Sequence, residues 1–192
     1  DIELIEFASG RGGDIPRWKK YGFKKVTAIE LYMVSIEEAK DRFSKASRPK
    51  PKTYFLRGDL SKLIFPNYEA GNTEANKINL KKFLPLQYEY DILSIQFAIH
   101  YLFKDEVSVR TIMQNMNDNL KTGGIVIGTC FNGERIFNKL KKSKKINGVD
   151  KNGDLLWSIE KKYNIRKLAE TKNSLGKEIS VFVKNIGQEH NE

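Results

Sequence analysis

The chain has 192 residues, 40% of them hydrophobic and 30% charged, which is enough for a packed core and excludes a disordered composition. It contains no apolar run long enough to form a transmembrane helix, and its first residues, DIELIEFA, lack the basic region of a signal peptide. One cysteine excludes an intrachain disulfide and, with only His100 and His190 beside it, argues against a structural zinc site.

Residues 3–8 form a short apolar strand, followed by a turn at 9–13 that holds Gly10, Gly12 and Gly13. IPRWKKYG then predicts a helix of two turns, with Pro16 in its first turn and Gly22 at its stop. A second strand, 24–31, ends in Glu30 and leads to a helix over 35–46, for which Ser35 and Glu38 are expected to form a capping box. KTYFLRGDL, 52–60, is a third strand. Residues 61–90 read as an irregular insertion, with NYEAGNTEANK its most flexible part.

A buried strand starts at Tyr90 and runs into an aromatic turn, QFAIHYLF. An amphipathic helix over 105–124 ends at Gly123-Gly124, and a fifth strand follows over 124–131. Beyond residue 132 come a basic helix, ERIFNKLKKSKK, and a hairpin built from LLWSIEKKY and EISVFVKN. Strand–helix alternation predicts an α/β fold with a doubly wound, mostly parallel sheet, in one domain spanning 1–192. In such a sheet ligands bind outside the carboxyl ends of the strands, so the residues just after each strand are the candidates.

The glycine turn lets backbone approach a ligand closely. Glu30, 20 residues after Gly10, can accept hydrogen bonds from both hydroxyls of a ribose, and Asp59 can accept from an adenine amino group. A dinucleotide would place a pyrophosphate beside Asp14, which is repulsive, and the spacing is G-x-G-G rather than G-x-G-x-x-G. The amino group and sulfonium of S-adenosylmethionine instead favour negative charge from Glu6 and Asp14. The turn therefore favours S-adenosylmethionine.

The net charge of +10 fits a polyanionic partner, nucleic acid first, or else a solvated lysine-rich surface. Two basic clusters stand out. Arg17, Lys19, Lys20, Lys24 and Lys25 follow the glycine turn, and Arg135, Lys139, Lys141, Lys142, Lys144 and Lys145 follow the fifth strand. Arg17 and Lys20 are the preferred phosphate contacts, because their helix adjoins the strand ends.

FASGRGGDIPRWKKYG, VTAIELYMVSIEEAKDRF, YDILSIQFAIHYLF and LKTGGIVIGTCFNGERI resemble, in order and spacing, successive motifs of the mRNA cap guanine-N7 methyltransferases. The likeness covers residues 3 to about 137, with a weaker match near the C-terminus, and QFAIHY is its most specific part. The lysine-rich composition is most like the methyltransferase domains of multifunctional capping enzymes of large DNA viruses.

The resemblance implies that Gly10, Arg11, Gly12 and Asp14 line the methionine half of the cofactor. It implies Glu30 with Leu31 at the ribose, Asp59 with Leu60 at the adenine, and Gln96 and Phe97 against the cofactor. His100 and Tyr101 would border the cap guanine, Glu192 would read its edge, and the basic helix and hairpin region of 132–192 would lie near the cap site. Ala8 replaces the first glycine of the motif, and the family's upstream lysine and asparagine fall before residue 1. The implied reaction moves a methyl group from S-adenosylmethionine, leaving S-adenosylhomocysteine, to GpppN-RNA without a general base. Expected partners are capped RNA, covalently linked triphosphatase and guanylyltransferase domains and a stimulatory subunit, but no membrane. The expected location is cytoplasm or nucleus, or a virus factory or virion. Two other readings remain open. One is a methyltransferase for a different acceptor; the other is a non-catalytic RNA-binding module on the same scaffold.

Overall fold

The computed structural model describes residues 1–165, 174–184 and 189–191. The chain forms two compact units, Asp1–Leu102 with Val107–Thr129, and Phe103–Glu106 with Cys130–Glu192. In the first unit five parallel strands lie in the order β3-β2-β1-β4-β5. These are β1 (Glu3–Phe7), β2 (Lys25–Glu30), β3 (Lys52–Arg57), β4 (Tyr90–Gln96) and β5 (Leu120–Thr129). The doubly wound α/β expectation matches this sheet. Its order reverses between β1 and β4, which sets the ligand crevice at their carboxyl ends.

Helices α1 (Ile15–Lys20), α2 (Met33–Lys45), α3 (Glu74–Phe83) and α4 (Glu106–Asn119) connect the strands. One apolar cluster packs Ile5, Phe7, Ile29, Leu93 and Ile95 of the sheet with Ile112 and Met116 of α4 and Leu80 of α3. A second gathers Leu4, Val26 and Ala28 with Ile15 and Trp18 of α1. Near-continuous burial along β1 and β2 is what a parallel sheet covered on both faces requires.

Several element boundaries differ from expectation. The capping box at Ser35 and Glu38 does not form: α2 begins two residues earlier, Tyr32 is its N-cap with no side-chain cap, and Glu38 pairs with Arg11. Residues 61–90 are not irregular throughout. Thr73 caps α3 by accepting from the Asn76 N–H, and Leu80 is fully buried, so two anchors hold a helix within a loop-like composition. The third strand stops at Arg57. Helix α4 ends at Asn119, and Gly123-Gly124 lies inside β5, where the register with β4 shifts between Tyr90 and Ile92.

In the second unit helix α5 (Gly133–Leu140) precedes an antiparallel sheet of β6 (Lys145–Val149), β7 (Leu155–Lys161), β8 (Ile179–Val183) and β9 (Glu189–Asn191). The expected pairing of LLWSIEKKY with EISVFVKN is present as β7 and β8. The basic helix is shorter than expected, because Lys145 onward pairs with β7 as a strand. Leu140, Ile179 and Val181 form this unit's buried core. Among the described residues no helix is long and apolar enough to cross a membrane.

Candidate cofactor and substrate site

Parallel register brings the candidate residues of the first unit to one end of its sheet. Phe7 pairs with Ile29 and Ile95, and Glu30 with Arg57, so the segments after β1, β2, β3 and β4 emerge together. The N–H of Gly58 donates to the Glu30 carbonyl at 3.0 Å, which joins the second and third strand ends directly.

The turn after β1 is left-handed at Ala8, Gly10 and Gly12, with φ of 53°, 54° and 76°. A side chain at Gly12 would strike Ile15 and Ala39, whereas a Cβ at Gly10 or Gly13 would meet nothing within 4 Å. Gly12 is thus a packing requirement, and Gly10 and Gly13 present bare backbone to open space. Ala8 occupies a conformation that glycine favours, so its substitution for the motif's first glycine carries strain beyond the entry to the turn.

Glu30 is buried and accepts two backbone N–H groups, from Gly10 at 2.9 Å and from Tyr32 at 3.0 Å, one on each carboxylate oxygen. Each oxygen keeps a second acceptor position. The carboxylate therefore braces the glycine turn and remains able to accept from a ligand. Leu31 follows it, its carbonyl accepting from Arg57 Nε at 3.0 Å.

Asp59 uses Oδ1 to accept from the Ser61 N–H and hydroxyl at 3.0 and 2.6 Å, leaving Oδ2 without a hydrogen bond among the described residues. The side chain of Leu60 is buried in the core. Asn115 of α4, which sequence inspection did not single out, holds this loop. Its side chain accepts from the Ile64 N–H and donates to the carbonyls of Leu60 and Lys62. Only its odd polarity on the buried face of an amphipathic helix signals it.

Glu6, Asp14, Arg17 and Trp18 form a cluster beneath the turn. Trp18 Nε1 donates to Glu6 Oε2 at 2.5 Å, and Arg17 pairs with Asp14. Burial first, and then the neighbouring Asp14 carboxylate, push the Glu6 carboxyl up to about 8. This favours the protonated form of Glu6, whereas the charge expected of it beside a sulfonium or ammonium acts in the other direction. Arg17 remains largely exposed while it pairs with Asp14, and Lys20 is exposed with its ammonium 5.5 Å from the Tyr21 ring. Arg11 reaches Glu38 at 3.5 Å.

After β4, the Gln96 amide donates to Ser94 and accepts from Thr129, which locks it across the β4–β5 pair. Phe97 follows with φ of 50° and is 61% exposed. Left-handed backbone in a bulky residue is costly and recurs where binding sites dictate conformation. His100 and Tyr101 lie in the 3₁₀ turn Ile99–Leu102, their ring centroids 4.6 Å apart. Glu192 lies outside the described residues. Among the described residues no group of three His, Cys, Asp or Glu could hold a metal ion.

Comparison with known proteins places the chain in a family. The family model for the mRNA (guanine-N(7))-methyltransferase domain matches residues 1–185. The mRNA cap guanine-N(7) methyltransferase of Caenorhabditis elegans is 30% identical over 169 residues, covering 88% of this chain and 40% of that protein. That of Schizosaccharomyces pombe is 29% identical over 143 residues, or 74% of this chain and 36% of the relative. A probable mRNA-capping enzyme of Acanthamoeba polyphaga mimivirus is 29% identical over 178 residues, covering 84% of this chain and 15% of its own length. The chain thus spans well under half of each of these relatives.

Among solved structures, an S-adenosylmethionine-dependent methyltransferase from Clostridium acetobutylicum superposes with a TM-score of 0.59 at 16% identity, covering 99% of this chain and 64% of that one. The glycopeptide N-methyltransferase MtfA, solved with S-adenosylmethionine, gives 0.52 at 17% identity, covering 100% of this chain and 64% of that one. These two likenesses establish a Rossmann-like methyltransferase fold. The chain belongs to the mRNA (guanine-N7)-methyltransferase family.

Proposed function

We propose that the chain carries the S-adenosylmethionine-dependent step that methylates N7 of the guanine cap of GpppN-RNA. The observation that carries this reading is the buried Glu30 carboxylate, fixed by the N–H groups of Gly10 and Tyr32 beside open backbone at Gly10 and Gly13. That arrangement fits a ligand whose ribose offers two hydroxyls next to a compact charged tail. Glu30 accepts from the ribose with Leu31 alongside, Asp59 Oδ2 accepts from the adenine amino group, and Leu60 contributes backbone. The turn Gly10–Arg11–Gly12 holds the methionine end with Asp14, and Gln96 and Phe97 close the other side.

S-adenosylmethionine supplies a methyl group on a sulfonium, already activated toward a nucleophile. Guanine N7 has a free lone pair and no proton, so no residue needs to act as a general base. The protein's work is alignment, which can contribute on the order of 7–11 kcal/mol of the barrier. His100 and Tyr101 border the guanine, and the Tyr101 ring follows the positive charge that passes to the purine. Arg17 and Lys20 meet the triphosphate bridge, Arg17 exchanging Asp14 for phosphate. Glu192 is the candidate for the guanine N1–H and amino group. Capped RNA is the partner this reading requires. The likeness to the mimivirus protein supports linkage to other capping domains.

Methyl transfer from labelled cofactor to GpppA, GpppG and ATP tests the reading. Transfer to the two capped dinucleotides but not to ATP is expected, and transfer to none contradicts it. Tyr101→Ala is expected to lower kcat/KM for GpppA by about tenfold or more while leaving the cofactor Kd within about twofold, as loss of one aromatic contact to a cation predicts.

A further inference from the structure

The second unit carries a charged pocket to which the proposed methyl transfer assigns no role. It measures about 500 Å³ and is lined by Lys144, Lys161, Lys162, Tyr163 and Asn164. Its walls are built rather than casual. Lys161 Nζ donates to the Leu140 carbonyl at 2.7 Å, tying the end of β7 to the end of α5. The Tyr163 ring stacks on Phe137 of α5 at 5.9 Å and 18°, which fixes an aromatic wall. Glu160 holds Lys144 and Lys162 at 3.1 and 3.4 Å, and its carboxyl lies below the usual range because of Lys144 first and Lys162 after.

The surroundings extend this charge beyond what one small anion needs. Residues 135–145 contain six Lys and Arg and no acid. Lys139, Lys142 and Lys145 are exposed, and their ammonium groups make no ion pair or hydrogen bond among the described residues. Uncommitted ammonium groups close in sequence to a pocket with an aromatic wall match an extended polyanion that also offers flat rings.

We infer that the α5–β6 turn and the end of β7 bind single-stranded RNA, with phosphates on Lys144 and Lys162 and a base against Tyr163. This is a contact to the RNA body, independent of sequence. Glu160 is its built-in attenuator, since RNA must compete with that carboxylate for two lysines. The inference rests on the capped-RNA reading for the identity of the polyanion.

Fluorescence anisotropy with a labelled, uncapped 20-nucleotide RNA tests it without methyl transfer, so failure here is distinguishable from failure of the cap reaction. Combined Lys144→Gln and Lys162→Gln is expected to weaken binding about tenfold at low salt. It should also flatten the plot of log K against log salt by roughly 1.4, two phosphate contacts' worth. Glu160→Gln, by releasing the same lysines, is expected to tighten binding about two- to fivefold, an outcome misfolding cannot imitate. An unchanged salt slope in the double variant together with an unchanged affinity in Glu160→Gln overturns the inference. So does loss of inorganic tripolyphosphate binding with RNA binding intact, which would make this a small-anion pocket.

Discussion

The two ends of the parallel sheet in the first unit are built from similar residues and use them in opposite ways. At the amino end, Lys25 lies between Glu3 at 2.8 Å and Glu89, with the Tyr90 ring 4.7 Å from its ammonium. Beside it Asp91 accepts from Lys121 at 2.7 Å and from the Glu3 N–H at 2.8 Å. These charges pair with one another, although Glu89 Oε2 is buried without a hydrogen bond among the described residues. Burial opposes the Lys25 charge, yet the bonds to Glu3 and Glu89 outweigh it and hold the ammonium above its usual range. At the carboxyl end Glu30 accepts only backbone N–H groups, Asp59 keeps one oxygen unbonded among the described residues, and the chain passes through left-handed conformations at Ala8, Gly10, Gly12 and Phe97. One end spends its polar groups on cohesion. The other keeps acceptors and strained backbone available for a ligand.

That contrast can be broken from either side. The largest expected effect concerns Glu6, whose carboxyl is pushed up to about 8 by burial first. Its folded-state value of about 8 lies above the ordinary 4.5, so the folded chain binds a proton that the unfolded chain releases. Its contribution to stability is present below pH 4.5 and is lost as pH rises through 8. Urea denaturation across that range should show a fall of roughly 3–5 kcal/mol that Glu6→Gln removes. A difference between the two proteins that does not vary with pH would place Glu6 among the ordinary carboxylates.

Lys25→Met sharpens the comparison at the other end. Removing the cation leaves Glu3 and Glu89 facing each other in a largely buried site, at an expected cost of about 3 kcal/mol. Because nothing at the amino end points toward the ligand, the Kd for S-adenosylhomocysteine should stay within about twofold at a temperature where the variant is folded. A tenfold loss would mean that the two ends are not separable. The smallest effect belongs to Ala8, whose φ of 53° suits glycine. Ala8→Gly should raise stability by about 1 kcal/mol, measured as a higher urea midpoint with the same slope.

What could be read from the residues follows the same division. The strand–helix alternation and the placing of Gly10, Glu30 and Asp59 after successive strands follow from apolar periodicity and turn glycines, which are local signals, whereas the strand order comes from the structure. The capping box at Ser35 and Glu38 failed because the helix starts at Met33 and takes Ser35 into its first turn, and α3 was missed because its evidence is one capping threonine and one buried leucine amid polar residues. The upward shift of Glu6, bracing by Asn115 and the strain at Ala8 depend on neighbours brought together only by folding. Of the second unit's pocket only Lys144 stood out, as part of a basic cluster, whereas Lys161 bound to Leu140 and Tyr163 stacked on Phe137 are tertiary facts.

The most direct measurement is calorimetric titration of the 192-residue chain with S-adenosylhomocysteine, comparing wild type, Glu30→Ala and Lys25→Met. Saturable one-site binding is expected in the wild type, with about a hundredfold loss in Glu30→Ala, as removal of two hydrogen bonds to a charged acceptor implies. Lys25→Met should retain wild-type affinity. No binding at millimolar ligand, or equal affinity in wild type and Glu30→Ala, would contradict the assignment of the adenosine to the carboxyl end of the sheet.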